Sequence, residues 1–377
     1  MPLYTRLPAI APLLALLLSA CNAAASSPTP RPAAVISTIA APTVAPTVAP
    51  SAVPSAVPTV LPPTALSATA APSATAAPTV APSPTPDPYA EWEPYTIEAL
   101  RARSYSDGEL RVLRVLSETP QFTRELFEYT SDGLRVTGQL TRPRGAGPWP
   151  VVILNHGYFP FAVYRTGYDT QHASDYLAER GYLGLAPDFR SYGGSDKAPN
   201  IFKAGQVIDT LNLIALAQLL PEAQPGKVLM WGHSNGGEIT LKSMLVSDQI
   251  AAGLIYAPAS SFLEDSYYAY SNDQVLWDPT NTADYPLTPE QAPDLYARLS
   301  AYPYLKYLQA PVQWHHGTID PVLPEWSIVP HEQLLKLGKP SELFLYEGGN
   351  HALVGAQKAL YLERTAAFFD RVLATGE

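Results

Sequence analysis

Cysteine is almost absent, with Cys21 the single one in 377 residues. One thiol excludes an intrachain disulfide, a cysteine-based zinc site and an iron–sulfur cluster, so any catalysis has to use other nucleophiles. Charge is scarce too, at 15% of residues, and lopsided, since 24 Lys and Arg face 34 Asp and Glu for a formal net charge of −10. The basic residues form no run, which removes the electrostatic footprint of a nucleic-acid binder or of a protein drawn to an anionic membrane surface. The apolar stretch Ala9 to Leu18 is too short to span a bilayer comfortably.

That stretch instead reads as an export signal, residues 1–20, with Arg6 as a weak positive start and Leu18-Ser19-Ala20-Cys21 at its end. The tetrad resembles the lipobox of bacterial lipoproteins, which implies a lipidated Cys21 as the mature N-terminus. An ordinary signal peptide cut near Ala25 is the alternative. Either way the protein is expected to be exported, as a cell-surface or periplasmic lipoprotein or in secreted form. Membrane contact is expected only through that anchor.

Residues 22–88 are Pro, Ala, Thr, Ser and Val, with repeats such as TVAPTVAP (43–50) and SAVPSAVP (51–58), and Arg31 is the only charge before Asp87. Prolines at that density deny both helix and sheet, so an extended tether of up to roughly 200 Å at about 3.1 Å per residue is expected. Residues 89–121 read as a short lead-in. Thr96 caps a helix over IEALRAR, and ELRVLRVL is a strand or a second helix.

From residue 122 to 377 the pattern is that of one catalytic domain. TRELFEYT, SDG and LRVTGQLTRP form an antiparallel hairpin. Buried strands WPVVILNHG, YLGLAPDF, KVLMWGH, IAAGLIYAP, APVQW and SELFLY then alternate with helical stretches. This is an α/β chain with a mostly parallel, doubly wound sheet, and its function belongs at the carboxyl ends of the strands.

Gly232-His233-Ser234-Asn235-Gly236 is a G-x-S-x-G between a strand and a helix, the setting of a nucleophile elbow. The turn is so tight that the residues two either side must be small, and it aims the serine oxygen out of the sheet. His233 fills a variable position and is expected to be structural. His351, in EGGNHAL after SELFLY, is the expected base, and Asp320, in HHGTIDPVLP after APVQW, the expected acid. Glu264 and Asp265 are competing acids. The oxyanion hole is expected to use the backbone N–H of Asn235 and one from His156-Gly157-Tyr158, with Tyr158 the candidate. His315 and His316 are neighbours on a strand and point to opposite faces, so no metal is expected, and no cofactor. Residues 258–308 fall outside the alternation and are rich in aromatics, among them Phe262, Tyr267, Tyr268, Tyr270, Trp277, Tyr285, Tyr296, Tyr302, Tyr304 and Tyr307. They are expected to cap the site.

Together NHGY, PDFRSYGGSD, WGHSNGG, HHGTIDPVLP and GGNHAL resemble the catalytic domain of the prolyl oligopeptidase family, within the α/β-hydrolase superfamily. The resemblance implies acyl-enzyme catalysis on short peptides or aminoacyl bonds, in which Ser234 attacks, His351 shuttles the proton and Asp320 orients it. Esterases related to dienelactone hydrolase share most of these signatures, so a carboxylesterase is the alternative, and a non-catalytic binding protein on the same fold a more distant one. Two departures stand out. The lead-in is far too short for the β-propeller of classical members, and the usual His-Gly-Gly reads His156-Gly157-Tyr158. The expected partner is a small peptide or ester, with oligomeric state left open.

Overall fold

The computed structural model describes residues 87–105, 108–271 and 283–375. Cys21 and the Pro-rich stretch lie outside them. The chain enters through helix α1 (Ile97–Ala102), capped by Thr96, whose Oγ1 accepts the N–H of Ala99 at 3.2 Å. Strand β1 (Leu110–Glu118) follows and pairs antiparallel with β2 (Phe122–Ser131). The sheet thus begins at Leu110, inside the span read as a lead-in.

β2 and β3 (Leu134–Pro143) form the expected hairpin, in continuous register from Phe122 opposite Pro143 to Ser131 opposite Leu134. Its turn residues Asp132 and Gly133 have φ of 49° and 78°. Positive φ at both places matches the twist of the flanking strands, which is why an Asp-Gly turn serves here.

The remaining strands are β4 (Val151–Asn155), β5 (Leu183–Pro187), β6 (Val228–His233), β7 (Ile250–Tyr256), β8 (Val312–Gly317) and β9 (Ser341–Tyr346). The nine-stranded order is β1-β2-β3-β5-β4-β6-β7-β8-β9, parallel from β5 onward. Helices α2 (Gln171–Ala178), α3 (Ala204–Ala217), α4 (Asn235–Val246), α7 (Glu325–Lys336) and α8 (Gly355–Thr375) accompany it, while α5 (Leu263–Ser271) and α6 (Pro293–Leu299) interrupt it between β7 and β8.

Every residue of β4, β5 and β6 is buried, because the sheet is covered on both faces and each side chain finds a helix whichever way it points. Alternation sorts them. Ile153 and Met230 join the core with α3 and α4, and Val152, Leu154, Leu229 and Trp231 the core with α2 and α8. The strand order reverses around β4, so the carboxyl ends of β4 and β6 lie side by side, with Asn155 opposite Gly232. That switch point is where a doubly wound sheet opens a crevice.

Between β7 and β8, Leu263, Leu295, Tyr296 and Leu299 form a separate apolar cluster with Phe202, against which Trp92 and Tyr95 of the entering segment pack. Several aromatic rings of this stretch are packed within it or against the body. Tyr296 is buried in that cluster, and Phe262 stacks on Tyr302 at 4.4 Å. Trp277 lies outside the described residues.

Candidate active site

Ser234 sits between the last residue of β6 and the first of α4, with φ 55° and ψ −121°. A side chain other than glycine held at positive φ costs on the order of 1–3 kcal/mol, and it persists only where the surroundings fix it. Here its N–H donates to the Tyr256 carbonyl at 2.9 Å, and its carbonyl accepts from Gly237 at 2.9 Å and Ala259 at 3.1 Å. The flanking glycines are sterically required. A Cβ on Gly236 would run into the Asn155 carbonyl at the end of β4, and one on Gly232 into the Gly236 carbonyl and Thr240 Oγ1. Asn235, the next residue, opens α4, where an N–H has no acceptor within the helix.

His351 and Asp320 meet in the loops after β9 and β8. Nδ1 of His351 lies 2.9 Å from Oδ2 and 3.1 Å from Oδ1 of Asp320, whose carboxylate is fully enclosed. Asp320 is also held by the N–H of Val322 at 2.8 Å and by Nε2 of His316 at 3.3 Å. Burial opposes its charge, but the hydrogen bonds from His316 and His351 outweigh that and hold its pKa down to about 2. His351 is pulled below its ordinary value, first by burial and then by neighbouring His233, against the upward pull of Asp320. Of the competing acids, Asp265 is engaged by Ser260 Oγ at 2.7 Å, and burial raises the pKa of both Asp265 and Glu264.

The loop after β4 brings Gly157 against Ser234; a Cβ there would stand 3.2 Å from the serine Cβ. The Gly157 N–H donates to Asp169 Oδ2 at 2.7 Å, so of the two backbone donors after His156 it is Tyr158 that follows a fixed neighbour. Asp188 anchors the loop's far part. Its carboxylate accepts from Thr137 at 2.5 Å, Thr166 at 2.8 Å and Tyr164 at 2.9 Å, with burial pushing its pKa up.

Two further side chains stand near the elbow, of which sequence reasoning singled out only His233. His233, expected to be merely structural, is bonded through both ring nitrogens, to Asp169 at 3.0 Å and to the His351 carbonyl at 3.1 Å. Asp169, in the turn before α2, carries no motif at all. The adjacent histidines of β8 do part to different neighbours. His315 meets Tyr346 at 2.7 Å and Gln313 at 2.9 Å, with burial lowering its pKa to about 3. His316 reaches Ser327 at 2.8 Å and Asp320. Among the described residues no three His, Cys, Asp or Glu side chains are grouped to hold a metal ion.

Residues 168–376, more than half of the chain, match the prolyl oligopeptidase family. The chain belongs to the prolyl oligopeptidase family. It is a serine hydrolase on the α/β-hydrolase fold. The uncharacterized peptidase YtmA of Bacillus subtilis strain 168 is 26% identical over 225 residues, 59% of this chain and 84% of that one. Uncomplexed acylaminoacyl peptidase of Pyrococcus horikoshii superposes with a TM-score of 0.51 at 21% identity, over 68% of this chain but only 42% of that one. Acetyl xylan esterase of Paenibacillus sp. R4 superposes at 0.57 with 16% identity, over 77% of this chain and 96% of that one. These structural likenesses speak for the fold.

Proposed function

We propose that this serine hydrolase is a peptidase that cleaves short peptides or aminoacyl bonds through an acyl-enzyme, with Ser234 as nucleophile. The observation that carries the reading is the enclosed His351–Asp320 pair beside a strained serine turn at the sheet's switch point. Oγ of Ser234 attacks the scissile carbonyl while Nε2 of His351 takes its proton, and Asp320 fixes the tautomer and stabilises the imidazolium. The oxyanion is met by the N–H groups of Asn235 and Tyr158. Collapse releases the amine, which leaves with the proton from His351, and water then repeats the cycle on the acyl-enzyme.

Family membership and the peptidase-named relative support amide substrates. Among the described residues, what precedes β2 supplies one α-helix and one edge strand. The carboxylesterase reading is favoured by one feature, the bulky Tyr158 where the family's oxyanion loop normally has glycine.

The test is fluorophosphonate labelling of the full chain, followed by parallel assays on p-nitrophenyl esters and on aminoacyl or prolyl amides. Labelling that disappears in Ser234→Ala, with amide turnover, is expected. Ester turnover alone would make the protein a carboxylesterase, and no labelling of folded protein would end the catalytic reading.

We also propose that the enzyme is exported and anchored through an acylated Cys21, on the strength of the Leu-Ser-Ala-Cys tetrad and the tether-like composition after it. Cells fed a radiolabelled fatty acid should yield labelled protein, with the label lost in Cys21→Ser. Unlabelled wild-type protein would leave simple secretion.

A further inference from the structure

His233, the residue before the proposed nucleophile, is 7% exposed, and its ring lies 4.5 Å from that of Tyr256 and 4.6 Å from that of His351. Its Nδ1 is 3.0 Å from both oxygens of Asp169, and its Nε2 is 3.1 Å from the backbone oxygen of His351. A carboxylate and a peptide carbonyl can only accept, so each ring nitrogen faces an acceptor, the setting that favours a doubly protonated ring. Asp169 in turn accepts the N–H of Gly157 at 2.7 Å, with its side chain only 11% exposed.

We propose that His233 and Asp169 are a positioning pair for the hydrolytic reaction. One buried cation–carboxylate unit ties the loop that carries His351 to the loop that carries Gly157 and Tyr158, and fastens both to the strand end that presents Ser234. Base, oxyanion donor and nucleophile are thereby held in one frame, although they come from three separate loops. The inference rests on the assignment of Ser234 and His351 made above.

The surroundings agree with the charge. Burial opposes it, but Asp169, the His351 carbonyl and Asp320 together raise the pKa of His233, while the same imidazolium holds Asp169 down to about 2. The groups facing His233 are Asp169 from the turn before α2, His172 on α2, Trp231 on its own strand, Tyr256 on β7, and Asp320 and His351 from the loops after β8 and β9. His172 is bonded to Tyr361 at 2.6 Å, and burial lowers its pKa to about 4, so at neutral pH it adds no competing charge. A fixed positive charge beside His351 also disfavours protonation of the base in the resting enzyme.

The experiment uses the full chain, p-nitrophenyl butyrate as substrate, and active sites counted by fluorophosphonate titration. In His233→Gln and in Asp169→Asn, kcat per titrated site should fall on the order of 10²-fold, the size of effect that a misplaced oxyanion donor or base produces. The double variant should be no worse than the poorer single one, because the two act as a unit. In His233→Gln the acid limb of kcat/KM should also move to higher pH. A lower titrated fraction with kcat per site and acid limb both unchanged would show a purely structural role and overturn the proposal. If neither variant folds, nitrogen-15 NMR of the wild-type imidazoles decides it. His233 protonated on both nitrogens at neutral pH supports the pair, and a neutral tautomer overturns it. Failure of wild-type Ser234 to label would instead strike the catalytic assignment, which the NMR readout does not depend on.

Discussion

Three donors converge on the Asp320 carboxylate: His351 Nδ1, His316 Nε2 and the Val322 N–H. A carboxylate accepts all three, whereas an amide offers one accepting atom and places its own N–H₂ against a donor. Asp320→Asn should therefore misorient His351 and reduce kcat on p-nitrophenyl esters by about 10⁴-fold, by analogy with serine triads in which the acid is so replaced. Near-normal turnover would move the acid's role to Glu264 or Asp265. The pH profile adds a sign. His351 lies below its ordinary pKa, so wild-type kcat/KM should fall only below about pH 6.5, as the base becomes protonated. Asp320 pulls that pKa up and His233 pushes it down. The acid limb should therefore move to lower pH in Asp320→Asn and to higher pH in His233→Gln, and a shared direction would break the electrostatic account.

At the scale of elements, what the sequence made legible was whatever depends on neighbours along the chain. The Asp132-Gly133 turn, the Thr96 cap and the strand–Ser234–helix passage follow from local conformation, and the structure shows each. The apolar run of β6 announces burial on both faces, because no alternation is needed where helices cover the sheet twice. Leu110–Leu116 was ambiguous for a physical reason. Its apolar positions fit a helix face and a strand equally, and pairing with β2 decides for the strand while leaving Val112, Leu113, Val115 and Leu116 exposed at the sheet edge. The His233–Asp169 bond spans 64 residues and exists because β4 and β6 are neighbours, which no local pattern encodes. His316 shows the middle case. Strand alternation separates it from His315, yet only the turn after β8 brings Asp320 back onto its Nε2. A histidine at the variable position of G-x-S-x-G thus had a visible address but an invisible partner.

For the whole molecule, the site's electrostatics enter the fold's stability. Asp169 and Asp320 are each held to about 2, and buried Glu238 is held below its usual value by Lys203 and Lys242, whose charges and bonds outweigh burial. A carboxyl whose pKa is lower folded than unfolded stabilises the fold above its unfolded pKa near 4. That contribution is lost as pH falls through the folded value. At about 1.4 kcal/mol per unit, the two aspartates together contribute on the order of a few kcal/mol, a sizeable share of the roughly 5–15 kcal/mol that stabilises a typical domain. Asp188, Glu264 and Asp265 work in the opposite direction, since their raised pKa values mean that protonation relieves a buried charge. The buried histidines His172, His315 and His351, whose pKa values are lowered, also stabilise the fold until pH falls below their unfolded value near 6.5. The thermal midpoint of the wild-type chain should therefore begin to fall below about pH 6.5 and drop steeply between about pH 4 and pH 2. Asp169→Asn and Asp320→Asn should start from lower midpoints and lose less over that interval, because each has already given up one of the groups being titrated. Calorimetry at a series of pH values measures both slopes. Parallel curves for wild type and variants would mean that the acid transition belongs to carboxylates elsewhere, and that the bonds around His233 and His351 contribute to geometry without contributing to pH-linked stability.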